Sequence, residues 1–279
     1  MSGGIESSFS VPDSQVLWLG GLRIVYNHPH DLLGIFEVYV LDVYKLRSIR
    51  PADVVIDVGA GVGDYAMAAA KLVGPSGVVV AIEPNPQDFA TLSRNVAVNG
   101  FRNIMALNSA VGQAEGFLES EFKGVSFRTE RRSLDSIVAR LSDASRLRRP
   151  PDLIKMDIEG GEVEALRGMS SVLRHIRALH IELHRTKSKV DEIMLPLGFR
   201  FSRLTRSHYL LHSSWFGARH PVVALRWWRR LQKGGRAPPL RKLVHGIDVA
   251  AGDDLLVGAY DRDPPEVGKL DQCHRASGL

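Results

Sequence analysis

The chain has one cysteine, Cys273, among 279 residues, which excludes an intramolecular disulfide and suits a reducing compartment. It also lacks any uncharged apolar run approaching the roughly 20 residues that span a bilayer. The first residues include Glu6 and Asp13 and show neither a basic nor an apolar leader segment. These absences together predict a soluble, cytoplasmic protein. Internal repeats are missing too, which excludes solenoid architectures. One absence is local: from Ile193 to Ile247 there are eleven Lys or Arg residues and no Asp or Glu. The net charge of the chain is +5, so the remainder carries −6, an asymmetry that points to a partner surface.

What is present is ordinary globular usage, 44% apolar and 24% charged, in a length that can bury a sizeable core. Residues 1–50 read as an N-terminal segment: a hairpin within Leu17–Tyr26, then a helix over Leu32–Leu46 carried by Ile35, Val38, Leu41 and Leu46 and stopped by Pro51. From Asp53 strand and helix signals alternate, the pattern of a parallel sheet covered on both faces. Strands are expected at Val54–Val58, Val78–Glu83, Asn103–Leu107, Asp152–Ile158, Ala178–His184, Phe199–Leu204 and Leu255–Tyr260. Helices are expected at Asp64–Val73, from Pro86 to Gly100, at Ser133–Leu141, at Glu162–His175 and near 187–197. Residues 113–132 interrupt the alternation and predict an added hairpin beside the sheet. The domain would thus run over 51–262, with a basic insertion at about 206–250 and a flexible tail at 263–279.

The densest chemistry begins at Val54-Val-Ile-Asp-Val-Gly-Ala-Gly-Val-Gly63, a β-branched run that ends in a carboxylate and then glycine at every second position. Gly59, Gly61 and Gly63 permit positive φ and a close approach of ligand to backbone. The third glycine of G-x-G-x-x-G would fall at position 64, which is Asp, so the dinucleotide pattern is absent. Asp57 at the strand end and Asp64 at the helix start would repel a pyrophosphate. They suit a ligand bearing ammonium and sulfonium groups, S-adenosylmethionine. Twenty residues beyond Gly63, Glu83 ends the second strand, where a carboxylate accepts hydrogen bonds from ribose hydroxyls, and Asn85 follows it. Ser109 and Ala110 follow the third strand, where an adenine ring would sit.

A second cluster is Asp152-Leu-Ile-Lys-Met-Asp-Ile-Glu-Gly-Gly-Glu162. Period-two geometry puts Lys155, Asp157 and Glu159 on one face, either as a structural ion pair of Lys155 with a carboxylate or as a site. His180, Glu182 and His184 alternate likewise on the fifth strand, and His184 at its tip is a candidate general base, with Asp157 and Glu159 as further catalytic candidates. Asp157, Glu159, Glu182 and His184 also have the donor types of a hard-ligand divalent metal site. Acids at strand ends are common in this sheet class, so the expectation is a site without metal. Asn27-His-Pro-His-Asp31 reads as a turn, or as the lining of a substrate mouth.

In order and spacing, Val54–Gly63, Glu83-Pro84-Asn85, Asn108-Ser-Ala-Val-Gly112, Ser133-Leu-Asp135 and Leu153–Glu162 resemble the FkbM-type methyltransferases, within the class I S-adenosylmethionine-dependent superfamily. The resemblance spans roughly residues 35–210, and Ile-Lys-x-Asp-Ile-Glu-Gly is its more family-specific part. Gly61 stands where the family more often has Asn, and Gly161 where it often has Ala. The resemblance implies a doubly wound, Rossmann-like, mostly parallel seven-stranded α/β sheet and O-methylation of a hydroxyl on a sugar or secondary-metabolite-type small molecule. By position it implies that Asp57, Gly59 and Glu83 bind the cofactor and that Asp157 lines the crevice.

The acid-free segment contains Ala224-Leu-Arg-Trp-Trp-Arg-Arg-Leu231, with Leu225, Trp228 and Leu231 at helical spacing. It is read as a packed lid with a solvated basic face, or as a surface for RNA or for an anionic membrane. Two further functions stay open: an RNA methyltransferase that uses 193–247, and a non-catalytic adaptor that binds S-adenosylmethionine. No Asn-Pro-Pro-Tyr motif of exocyclic-amine methylation follows the fourth strand.

Overall fold

A computed structural model describes residues 15–28, 30–122, 124–205 and 255–262. The hairpin is present as β1 (Gln15–Leu19) and β2 (Leu22–Tyr26), joined through Gly20 and Gly21, both at positive φ as a two-residue turn requires. Helix α1 (Asp31–Phe36) runs into a single π-type turn, Glu37–Leu41. The helix expected to continue to Leu46 ends at Asp42, which is left-handed at φ 50° and accepts the Leu46 N–H on Oδ1 at 2.6 Å. That local cap replaces the next helical turn and directs Tyr44 inward, where it is buried.

The alternation then appears as β3 (Val54–Val58), α2 (Asp64–Val73), β4 (Val78–Ile82), α3 (Pro86–Val98) and β5 (Ile104–Leu107). Strands β6 (Ala110–Val111), β7 (Gly116–Phe122) and β8 (Val125–Arg132) form a separate three-stranded sheet, whose β7–β8 pair is the expected hairpin. After α4 (Leu134–Asp143) come β9 (Leu153–Met156), α5 (Glu162–Arg167), β10 (Ala178–His184), α6 (Lys187–Met194), β11 (Phe199–Thr205) and β12 (Leu255–Arg262). Seven strands make one sheet in the order β11-β12-β10-β9-β3-β4-β5, with β12 antiparallel to its neighbours and the other pairings parallel.

Two shifted boundaries bear on the site. Strand β9 ends at Met156, not Ile158, and Glu159 takes a left-handed φ of 51°, which breaks the alternation. Helix α5 ends at Arg167, not His175, and only a 3-10 turn, Val172–Arg174, follows. At the point where the helix stops, Gly168 packs against the chain at Gly112, since a Cβ there would lie 2.0 Å from the Gly112 carbonyl oxygen.

The strands are buried on both faces, as their β-branched runs require. On one face Val55, Val79 and Ala81 join α2; on the other Ile56, Val80 and Ile154 join α4 and the segment around α5. Each fully buried aliphatic side chain contributes about 1.5–3 kcal/mol. Leu17, Ile24, Ile35, Val38 and Tyr44 belong to the first of these cores, so the N-terminal segment packs on the sheet beside α2. Asn95, fully buried on α3, ties it to the glycine loop: its amide accepts from Val25 N at 2.7 Å and donates to the Val25 and Val62 carbonyls at 2.9 and 2.8 Å. Among the described residues no helix is long and apolar enough to cross a membrane. The basic insertion at about 206–250 and the tail at 263–279 lie outside the described residues.

Candidate functional site

The order of the sheet reverses between β3 and β9, and ligands of open parallel sheets bind outside the carboxyl ends of strands at such a switch point. A cavity of about 390 Å³ opens there. Its floor is the loop after β3 and the chain after β9. The N-terminal segment forms one wall and the inner face of the β7–β8 hairpin another, where Leu118, Phe122 and Phe127 are apolar. His30 meets Phe122 edge-on at 5.7 Å and bridges these two walls. The Asn27–Asp31 motif forms the turn it was read as. Asp31 Oδ2 accepts the Asn27 and His28 N–H groups at 3.0 Å, which makes the turn, and His30 lines the cavity.

All three loop glycines have positive φ, 76°, 53° and 89° for Gly59, Gly61 and Gly63, but for different reasons. A Cβ at 59 would lie 1.8 Å from the Asp157 carbonyl oxygen, and one at 63 would lie 2.4 Å from Leu92 Cδ1. Those two glycines let the loop pack against the protein. Only at Gly61 would a Cβ meet nothing within 4 Å, and Gly61 lines the cavity.

The two loop carboxylates divide their work. Asp57, expected to bind cofactor, is fully buried, is not among the cavity's lining residues, and pairs with Lys155 at 3.2 Å. Its side chain points to the α2 face of β3, beneath the loop and not above it. Lys155, also buried, donates to the Gly59 carbonyl at 2.7 Å, so the structural ion pair anticipated for Lys155 also clamps the glycine loop. Asp64 is the carboxylate that lines the cavity. Burial pushes its carboxyl up to about 7, with Lys155 opposing and Asp57 adding to the rise.

Glu83 also lines the cavity, its oxygens accepting from Gly61 N at 2.7 Å and Asn85 N at 2.8 Å. A carboxylate at this strand end has the chemistry to accept hydrogen bonds from ribose hydroxyls. Asn85 lines the cavity too, but its side chain caps α3 by accepting from Gln87 N at 2.9 Å. Ser109 and Ala110 line the cavity, and the Ser109 hydroxyl lies within hydrogen-bond reach of the Ala110 and Glu130 carbonyls, at 3.0 and 3.1 Å. The open position at Gly61, an ionisable carboxylate beside it and a second carboxylate one strand away together fit a ligand with an ammonium group and a ribose.

The opposite side gathers Tyr44, Asp157, Glu159, Glu182 and His184. The Tyr44 hydroxyl reaches Asp157 Oδ2 at 3.1 Å and Glu182 Oε2 at 3.2 Å. Burial and then the charge of Glu182 raise the Asp157 carboxyl well above the carboxylate range. His184 Nδ1 lies 2.8 Å from Glu162, and Nε2 lies 3.2 Å from Glu159 and 3.4 Å from Glu182. Burial alone lowers this imidazole, but the hydrogen bonds to Glu159, Glu162 and Glu182 push it up to about 12. A protonated ring has no lone pair to offer, so the expectation that His184 acts as general base is not met by this geometry. His180 is fully buried, held neutral first by burial, and stands apart from the cavity.

Sequence reasoning gave no role to Tyr44, because a helix through Leu46 would not have brought it inside. It read Asp64 as a fitting charge without assigning it.

The sequence model of the methyltransferase FkbM domain matches residues 57–201, more than half of the chain. The protein belongs to the FkbM methyltransferase family and is a methyltransferase that uses S-adenosylmethionine. It is 25% identical over 189 residues to the hexuronic acid methyltransferase AglP of Haloferax volcanii, which covers 65% of this chain and 72% of that protein. With methyltransferase sdnD of Sordaria araneosa it shares 22% identity over 211 residues, 60% of this chain and 81% of that one. Among solved structures, methyltransferase FkbM from Methylobacillus flagellatus superimposes with a TM-score of 0.43 at 19% identity, over 56% of this chain and 41% of the other.

Proposed function

We propose that the protein methylates a hydroxyl oxygen of a small polyhydroxylated acceptor of the sugar or secondary-metabolite type. The observation that carries this reading is the polar wall facing the glycine loop, where the Tyr44 hydroxyl, Asp157 and Glu159 are the hydrogen-bonding groups. The hexuronic acid named for the Haloferax relative supports an acceptor of this kind. When bound, S-adenosylmethionine supplies a methyl group activated by a sulfonium. The chain would hold it with Asp64 at the ammonium, Glu83 at the ribose and the Ser109–Ala110 turn at the base.

Most of the acceleration would come from orientation, since well-aligned groups gain about 7–11 kcal/mol over a bimolecular encounter. Tyr44 fixes the Asp157 carboxylate, which takes the hydroxyl proton. Asp157→Asn keeps the size of the side chain and removes the base, so kcat should fall by about 10²–10⁴-fold while cofactor affinity stays within a factor of a few. Steady-state kinetics and calorimetry on the same preparation separate the two. An unchanged kcat would exclude Asp157 as the base.

The Asp64 assignment makes its own prediction. Only the ionised carboxylate attracts the ammonium, and half the population is protonated at about pH 7. Cofactor affinity should rise between pH 6 and 7.5 and fall again above about 8, where the cofactor amine loses its proton. In Asp64→Asn the affinity should be weak and flat below pH 7.5. A wild-type profile that is flat across this range would remove Asp64 from the ammonium site.

A further inference from the structure

We propose that a second cavity, between α5 and α6, seats a neighbouring sugar unit of the acceptor, so that the substrate is a saccharide chain and not a free monosaccharide. This rests on the sugar O-methyltransferase reading and narrows its acceptor. The second cavity, like the first, has a volume of about 390 Å³.

Its position ties it to the methylation site. Glu159, Gly161 and Glu164 line the first cavity, and Gly160 and Glu164 line the second, so one turn of backbone and one side chain stand between the two. Glu159 belongs to the polar wall, which puts the second cavity on the acceptor's side of that turn. Gly160 is exposed at φ 102°, and a Cβ there would meet nothing within 4 Å. The ridge is bare where a chain of sugars would cross it.

The lining identifies the occupant. Arg167 and Lys189 offer donors, and Glu164 and Glu192 offer acceptors. Each cation stands three residues from a glutamate on its own helix, yet among the described residues Arg167, Lys189 and Glu192 form no hydrogen bond or ion pair. Glu164 has a loose pair with Arg131 Nη1 at 3.8 Å. A phosphate or carboxylate in this cavity would meet both glutamates, and an amine would meet both cations, so neither sign of charge is matched. A hydroxyl both donates and accepts, and a ring that carries several can answer both sets without net charge. Val163 and Ile193 add an apolar patch for the C–H groups of such a ring. Once the methylated unit is seated, the linked unit is held close to its own subsite, and its hydrogen bonds add to affinity without touching the chemistry.

The test is ligand-observed saturation-transfer NMR on the full-length protein with S-adenosylhomocysteine. Two matched series serve as probes: mannose, mannobiose and mannotriose, and glucuronic acid alone or linked to one or two neutral sugar units. In a series that binds, the longest member should bind at least about tenfold more tightly than the single unit. In Arg167→Ala and in Glu192→Ala that ratio should fall to within a factor of about two. Both residues are exposed, and circular dichroism checks that each variant is folded, with Lys189→Ala replacing one that is not. Equal affinity at every length, or an advantage of length that survives in the variants, overturns the proposal and leaves the O-methyltransferase reading standing. Inorganic phosphate that binds the wild type and not Arg167→Ala also overturns it, by making the cavity an anion site. Binding of no sugar at any length overturns the sugar reading itself, and this inference with it.

Discussion

Gly59→Ala abolishes cofactor binding, while Gly61→Asn, two residues along the same loop, keeps it within a factor of a few. The contrast follows from what each position faces. A Cβ at 59 would lie 1.8 Å from the Asp157 carbonyl oxygen and 2.9 Å from its carbon, a contact with backbone that cannot swing aside. The alanine must also hold φ near 76°, outside its preferred regions. The loop after β3 and the chain after β9 would have to separate, and those two segments together form the floor of the cavity. At Gly61 nothing lies within 4 Å of the added carbon, and Asn tolerates a φ of 53° better than other side chains. Calorimetry with S-adenosylmethionine on both folded variants reads the difference. Equal loss in the two would mean that ligand contact, and not packing against Asp157, sets the need for glycine at 59.

The second large effect is on stability. Lys155→Met removes the cation that pairs with Asp57 at 3.2 Å and donates to the Gly59 carbonyl at 2.7 Å. Both residues are buried at the centre of the sheet, so the remaining carboxylate has no water to turn to. Breaking one side of a buried ion pair costs about 3–5 kcal/mol. Burial already raises the Asp57 carboxyl while Lys155 lowers it, so without Lys155 the group would take up a proton in place of its partner. The double variant Asp57→Asn, Lys155→Met should recover much of the loss, because two uncharged groups of similar size need no mutual compensation. Denaturant unfolding of the four proteins gives the coupling directly. A loss under about 1 kcal/mol for Lys155→Met would mean that the pair does not hold the loop to the sheet.

These two variants also mark how far the sequence could be read. The strands β3 and β4 were legible from their β-branched runs and β10 from the alternation of His180, Glu182 and His184 with apolar residues, and Gly59, Gly61 and Glu83 stand at the strand-to-helix turns. Three things were hidden. The inward turn of Tyr44 depends on a left-handed Asp42, a conformation that no side-chain pattern announces. The burial of Asp57 beneath the loop depends on which face of β3 meets α2, and a strand apolar on both faces does not show that. The charge on His184 depends on Glu159, Glu162 and Glu182 converging from two segments, and spacing along the chain does not reveal that convergence.

The most direct test of the central claim is to supply ¹³C-methyl S-adenosylmethionine with a panel of neutral and acidic sugars and polyhydroxylated metabolites and to assign the labelled carbon by NMR. The account predicts a new methyl signal correlated to a sugar-type or alcohol C–O carbon, formed by the wild type and lost in Asp157→Asn. A labelled methyl on nitrogen, sulfur or carbon, or an O-methyl product formed equally by Asp157→Asn, would contradict it.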